Sequence, residues 1–93
     1  SNTVHFKEFL EDTCNTGVQG DISMAEIKGL YHYWCKENGV KEISDRRLEK
    51  WLAENANSLG IEAKKNIKRG YKRVRGYVNI TIKKEWYDDM LKR

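Results

Sequence analysis

The chain has 93 residues, 39% of them hydrophobic and 34% charged, with a net charge of +4. That balance fits one domain with a small core and excludes a disordered segment, while no apolar run approaches the roughly 20 residues of a membrane helix. The net charge conceals a polarity: residues 1–63 hold 7 basic and 11 acidic side chains, residues 64–93 hold 11 basic and 3 acidic, so the C-terminal third suits a polyanion.

Ser1-Asn2, with no initiating Met, reads as a tag scar ahead of a single domain over residues 3–93, and the chain as a fragment of something longer. Cys14 and Cys35 are too few for a disulfide framework and read as reduced core residues of an intracellular protein.

Val4 to Cys14 carries Phe6, Phe9, Leu10 and Cys14 on one helical face, and Asn15-Thr16-Gly17 reads as the turn that ends it. Val18 to Ile22 is a short candidate strand. Ser23-Met24-Ala25-Glu26 has capping-box spacing, and Ile27, Leu30, Tyr31, Trp34 and Cys35 follow at i, i+3, i+4, i+7 and i+8 of a second helix closed by Gly39. Ser44 caps a third helix, with Leu48, Trp51, Leu52 and Asn55 inward and Arg46, Lys50, Ala53 and Asn57 outward, stopping at Gly60.

The period then changes to two. Ile61, Ala63, Lys65 and Ile67 form the inward phase of one strand. Val74, Val78, Ile80 and Ile82 form that of another, with Arg75, Tyr77, Asn79 and Thr81 outward. The connection, Arg69 to Arg73, reads as a long loop with a flexible tip. Lys84 to Leu91 is a short final helix. The fold class is α+β: the order helix, minor strand, helix, helix, hairpin, helix is that of a winged helix-turn-helix, with the hairpin as wing.

Seven of the twelve residues from Lys64 to Arg75 are basic and none is acidic. Lys64, Lys68, Arg69, Lys72, Arg73 and Arg75 are candidate phosphate contacts, whereas Lys65 falls on the inward phase. About four such contacts give a salt slope of roughly −3 to −4. Arg46, Arg47 and Lys50 are candidates for a groove-facing helix, against which Asp45, Glu49 and Glu54 would repel DNA. Tyr71 is a candidate for stacking on a splayed base. The alternative for the cations is a solvated basic surface, and for Tyr71 a cap on the hairpin tip. Two His and two Cys, scattered over helices, make neither a zinc site nor a nucleophilic pair, so no metal, cofactor or catalytic residue is expected.

Ile27…Tyr31…Trp34-Cys35-Lys36-Glu37-Asn38-Gly39, then Ser44…Leu48…Trp51-Leu52, then Arg75-Gly76-Tyr77-Val78-Asn79-Ile80, resemble a family. They are similar to the C-terminal winged helix of phage-, plasmid- and poxvirus-type DNA primase–helicases, over about residues 4–83. Members often carry Gly where this chain has Asn79. The resemblance implies a non-catalytic module behind a superfamily 3 helicase ATPase of the same chain, hexameric in the whole protein, in a bacterial or virus-infected cytoplasm. Its implied role is to engage origin or forked DNA. A transcription regulator's winged helix and a protein-interaction module within a helicase assembly are the alternatives.

Overall fold

The computed structural model describes residues 2–91. Four helices and three strands follow in the order α1 (Asn2–Thr13), β1 (Cys14–Ser23), α2 (Met24–Asn38), α3 (Asp45–Leu59), β2 (Glu62–Arg69), β3 (Lys72–Ile82) and α4 (Lys84–Leu91). The strands form one antiparallel sheet in the order β1-β3-β2, so the last strand is central. The fold is therefore α+β, as the change of period implied. Among the described residues no helix is long and apolar enough to cross a membrane.

Helix boundaries follow local chemistry. The Ser23 side chain accepts from the Glu26 amide at 3.0 Å, and Glu26 Oε1 accepts from the Ser23 amide at 2.9 Å, completing the capping box of α2. Ser44 caps α3 through the Arg47 amide. Gly39 and Gly60 close the two helices in the left-handed conformation. The helical core is the one the apolar spacing marked: Phe6, Phe9 and Leu10 of α1, Ile27, Leu30, Tyr31, Trp34 and Cys35 of α2, and Leu48, Trp51 and Leu52 of α3 are buried. Polar atoms inside it are tied. Trp34 Nε1 donates to Asp12 at 2.9 Å, and the Ile43 amide donates to the Tyr31 hydroxyl at 2.7 Å. The same hydroxyl is hydrogen-bonded to His5 Nε2, 3.0 Å away, with the donor set by the histidine tautomer. Both cysteines are free and buried, and burial pushes the Cys14 thiol up to about 11.

The strands depart from expectation in four places. First, Asn15-Thr16-Gly17 is not a turn. α1 runs straight into β1, where Cys14, Asn15 and Thr16 pair with Ile82, Thr81 and Ile80, and strand pairing with a distant segment overrides local turn chemistry. Second, the β2–β3 connection is not a long loop. Lys68 and Arg69 pair with Arg73 and Lys72, leaving Gly70-Tyr71 as a two-residue turn. Gly70 has φ 63° and Tyr71 a negative φ, the sign pattern of the type II′ turn that matches strand twist.

Third, Tyr77 is not on the outer face but buried in the core with Ile80, while Val78 is half-buried. Asn79, between them, has φ 65° and faces the stretch of β1 where the register jumps from Thr16 to Asp21. This left-handed residue resets the alternation, so the phase read through Ile80 and Ile82 does not extend back to Val78. Asn is among the few residues that tolerate such a φ. Fourth, Ala63 and Lys65 are exposed, and Ile67 is the buried residue of β2. Lys65 and Asn66 together face the single residue Arg75, a bulge on an edge strand.

Candidate nucleic-acid interface

The hairpin is fixed to the body at its base and near its tip. At the base, Gly76 of the central strand lies against β1 so closely that a Cβ there would overlap the Ile22 carbonyl oxygen and come within 2.7 Å of Ser23 Cα. Near the tip, Arg69 Nε donates to Glu26 Oε2 and Nη2 to Glu26 Oε1, both at 2.9 Å, and Nη2 also meets Asp21 Oδ1 at 2.7 Å. The Arg69 hydrogen bonds hold the Glu26 carboxyl below its usual range. Arg69 is thus a candidate phosphate contact whose guanidinium is already engaged by two carboxylates. Arg75 is engaged as well, by Glu49 of α3 at 3.0 Å, and Lys28 of α2 holds the same carboxylate.

The other candidates stand free. Among the described residues Lys64, Lys68, Lys72 and Arg73 are exposed and form no ion pair, and Lys65, which the strand phase had set aside, joins them. Lysines on an edge strand also keep its unpaired amides from templating another chain. Arg46, Arg47 and Lys50, in the first turns of α3, are likewise exposed and outside the ion pairs. The Arg75–Glu49 bridge brings the two sets together, because Glu49 lies one turn beyond Arg46 and beside Lys50. Tyr71 is fully exposed, at 109% of its reference area.

The acids expected to oppose an anion are partly neutralised. Glu49 sits between Lys28 and Arg75, which hold its carboxyl below its usual range, the Lys28 hydrogen bond most of all. Asp45 meets His32 Nε2 at 3.0 Å, and Glu42 meets His32 Nδ1 at 2.7 Å. Two carboxylates beside the ring favour the imidazolium by charge, although Asp45 Oδ1 has no hydrogen-bond partner of its own among the described residues. The Glu42 hydrogen bond raises the His32 pKa above its ordinary value. Glu54 is exposed and outside these bridges. The chain gave no signal for the partners of Arg69, Arg75 and His32, since each lies on another element. Capping-box spacing marked Glu26 for a different task.

His5 Nε2 also lies 3.7 Å from Cys35 Sγ. Among the described residues no group of three or more His, Cys, Asp and Glu is arranged to hold a metal ion.

Fold and site together define a small α+β domain with unpaired cations grouped on one hairpin and one helix, Lys7, Lys36 and Lys41 lying elsewhere. The chain belongs to the poxvirus D5 protein-like family, whose model matches residues 6–89. Neither the curated proteins nor the solved structures contain a significant match.

Proposed function

We propose that the chain is a winged-helix, DNA-binding module of a viral or mobile-element replicative primase–helicase, engaging origin or forked DNA through its basic wing. The order α1–β1–α2–α3–β2–β3, with β3 between the other strands, supports the winged-helix reading. Membership of the D5-like family supports the replicative setting. The observation that carries the proposal is the set of unpaired, exposed cations Lys64, Lys68, Lys72 and Arg73, with no acid interleaved. Their field captures the phosphate backbone, while Arg46, Arg47 and Lys50 of α3 face the adjoining groove or phosphates. Arg69 and Arg75 serve this surface by fixing the hairpin to α2 and α3; all three guanidinium nitrogens of Arg69 are already engaged, whereas Arg75 is bridged, among the described residues, through Nη2 alone. In the whole protein the module works beside the helicase ATPase of the same chain and takes no part in its chemistry.

Fluorescence anisotropy with labelled duplex, fork and single strand, from about 50 to 300 mM salt, tests this. Micromolar binding with a slope of roughly −3 to −4 is expected. Replacing Lys68, Lys72 and Arg73 together by Ala should weaken binding to all sequences and flatten the slope by about 2 to 3. Absence of binding to all three DNAs at the lowest salt would overturn the proposal and turn the basic hairpin toward an acidic protein partner.

A further inference from the structure

We propose that Tyr71 is a stacking wedge that reads an exposed base face, so that the domain prefers a DNA fork or end to uninterrupted duplex. This deepens the DNA-binding proposal above and rests on it.

Tyr71 is one of three large hydrophobic side chains that the described chain leaves exposed, and the most exposed of them. Its ring has no hydrogen bond or ring contact. Its mount is stiff. Strand pairing runs up to Arg69 and Lys72, the turn is only two residues long, and Arg69, two residues before the ring, is held by Glu26 and Asp21. An aromatic ring presented this way gives up little freedom on contact, because only its two side-chain torsions are left to order. Lys72 follows it in the chain, the cross-strand pair of Lys68 and Arg73 comes next along the hairpin, and all three are exposed. Phosphates held by these cations would bring the ring to the sugar–base layer between them.

What that ring can do depends on the DNA. In a continuous duplex each base face is covered by its neighbour, and a ring gains stacking only by first breaking a base step. At a fork, end or gap one face is already open, and stacking on it costs no unstacking. The ring therefore adds affinity where the duplex is interrupted and almost none where it is not. Every base has such a face, so the contact is blind to sequence.

The test compares a forked duplex with a nick-free relaxed minicircle of the same base pairs, as competitors for a labelled fork. Tyr71→Ala should lose about tenfold on the fork and less than about twofold on the minicircle. Tyr71→Phe, which keeps the ring, should behave as wild type. A 2-aminopurine at the junction should be quenched by wild type and not by Tyr71→Ala. Equal losses on both DNAs, or none on either, would overturn the wedge while leaving the DNA-binding proposal standing. If the wild-type chain binds neither DNA at low salt, the DNA-binding proposal fails and the wedge with it.

Discussion

Arg69 and Glu26, 43 residues apart in the chain, face each other through two hydrogen bonds of 2.9 Å, and the carboxylate that receives them also closes the capping box of α2. One side chain thus starts a helix and anchors a hairpin.

The two tasks of Glu26 are separable. Glu26→Gln keeps the side-chain oxygen that caps Ser23 but removes the charge that binds Arg69, and should cost about 0.5 to 1 kcal/mol for a partly exposed pair. Glu26→Ala loses both and should cost about 1.5 to 2 kcal/mol. Urea midpoints at neutral pH measure the difference. Because the folded carboxyl is held below its ordinary value of 4.5, its contribution is present above that pH and is lost as pH falls through the depressed value.

Asn79 tests the backbone reset in β3. At φ 65°, Asn79→Gly should leave stability within about 0.5 kcal/mol, since Gly accepts this conformation freely but costs more to order. Asn79→Val should destabilise by about 1 to 3 kcal/mol, a β-branched residue being poorly suited to positive φ. Equal stability of the two variants in thermal melts would remove the strain argument.

Two glycines should respond oppositely to the same methyl group. Gly76→Ala would drive the new carbon into the Ile22–Ser23 backbone, which cannot swing aside, and should cost about 3 kcal/mol. Gly29→Ala, inside α2, meets nothing within 4 Å and should stabilise by about 0.5 to 1 kcal/mol. Differential scanning calorimetry of the pair decides this.

His32 should make stability depend on pH. Its pKa is raised in the fold, so the bridge to Glu42 and Asp45 stabilises fully below the ordinary value of 6.5 and fades as pH rises through the raised one. The Tm advantage of wild type over His32→Gln should be largest near pH 5.5 and shrink by about pH 8.5. An advantage that does not change across that range would show that the imidazolium bridge contributes nothing.

The helices were legible because their signals are local. The Ser23 and Ser44 caps, the Gly39 and Gly60 stops and the Ile27–Cys35 stripe each depend on neighbours within eight residues. The sheet was legible only in outline. The length of β1 depends on Thr81 and Ile82 from the far end of the chain, and the burial of Tyr77 depends on the left-handed Asn79 resetting the alternation. The tight turn was within reach, since Gly as the first residue of a two-residue connection is a type II′ signal, but the run of basic residues around it resembled a loop. At the candidate site the free cations could be named from the sequence except Lys65, which the strand phase placed inward. That Arg69, Arg75, Glu49 and Asp45 are paired could not, because each partner comes from another element.

The central place of β3 has a consequence during synthesis. β1 and β2 are not hydrogen-bonded to each other, and each has its partner only in residues 72–82. While the ribosome still shields that stretch, an elongating chain can form its first three helices and hold two unmated strands. The sheet then assembles in one late event as β3 emerges and inserts between them. Until that moment β1, made first, waits longest without a partner, while the lysines of β2 repel neighbouring nascent chains and guard the second open edge.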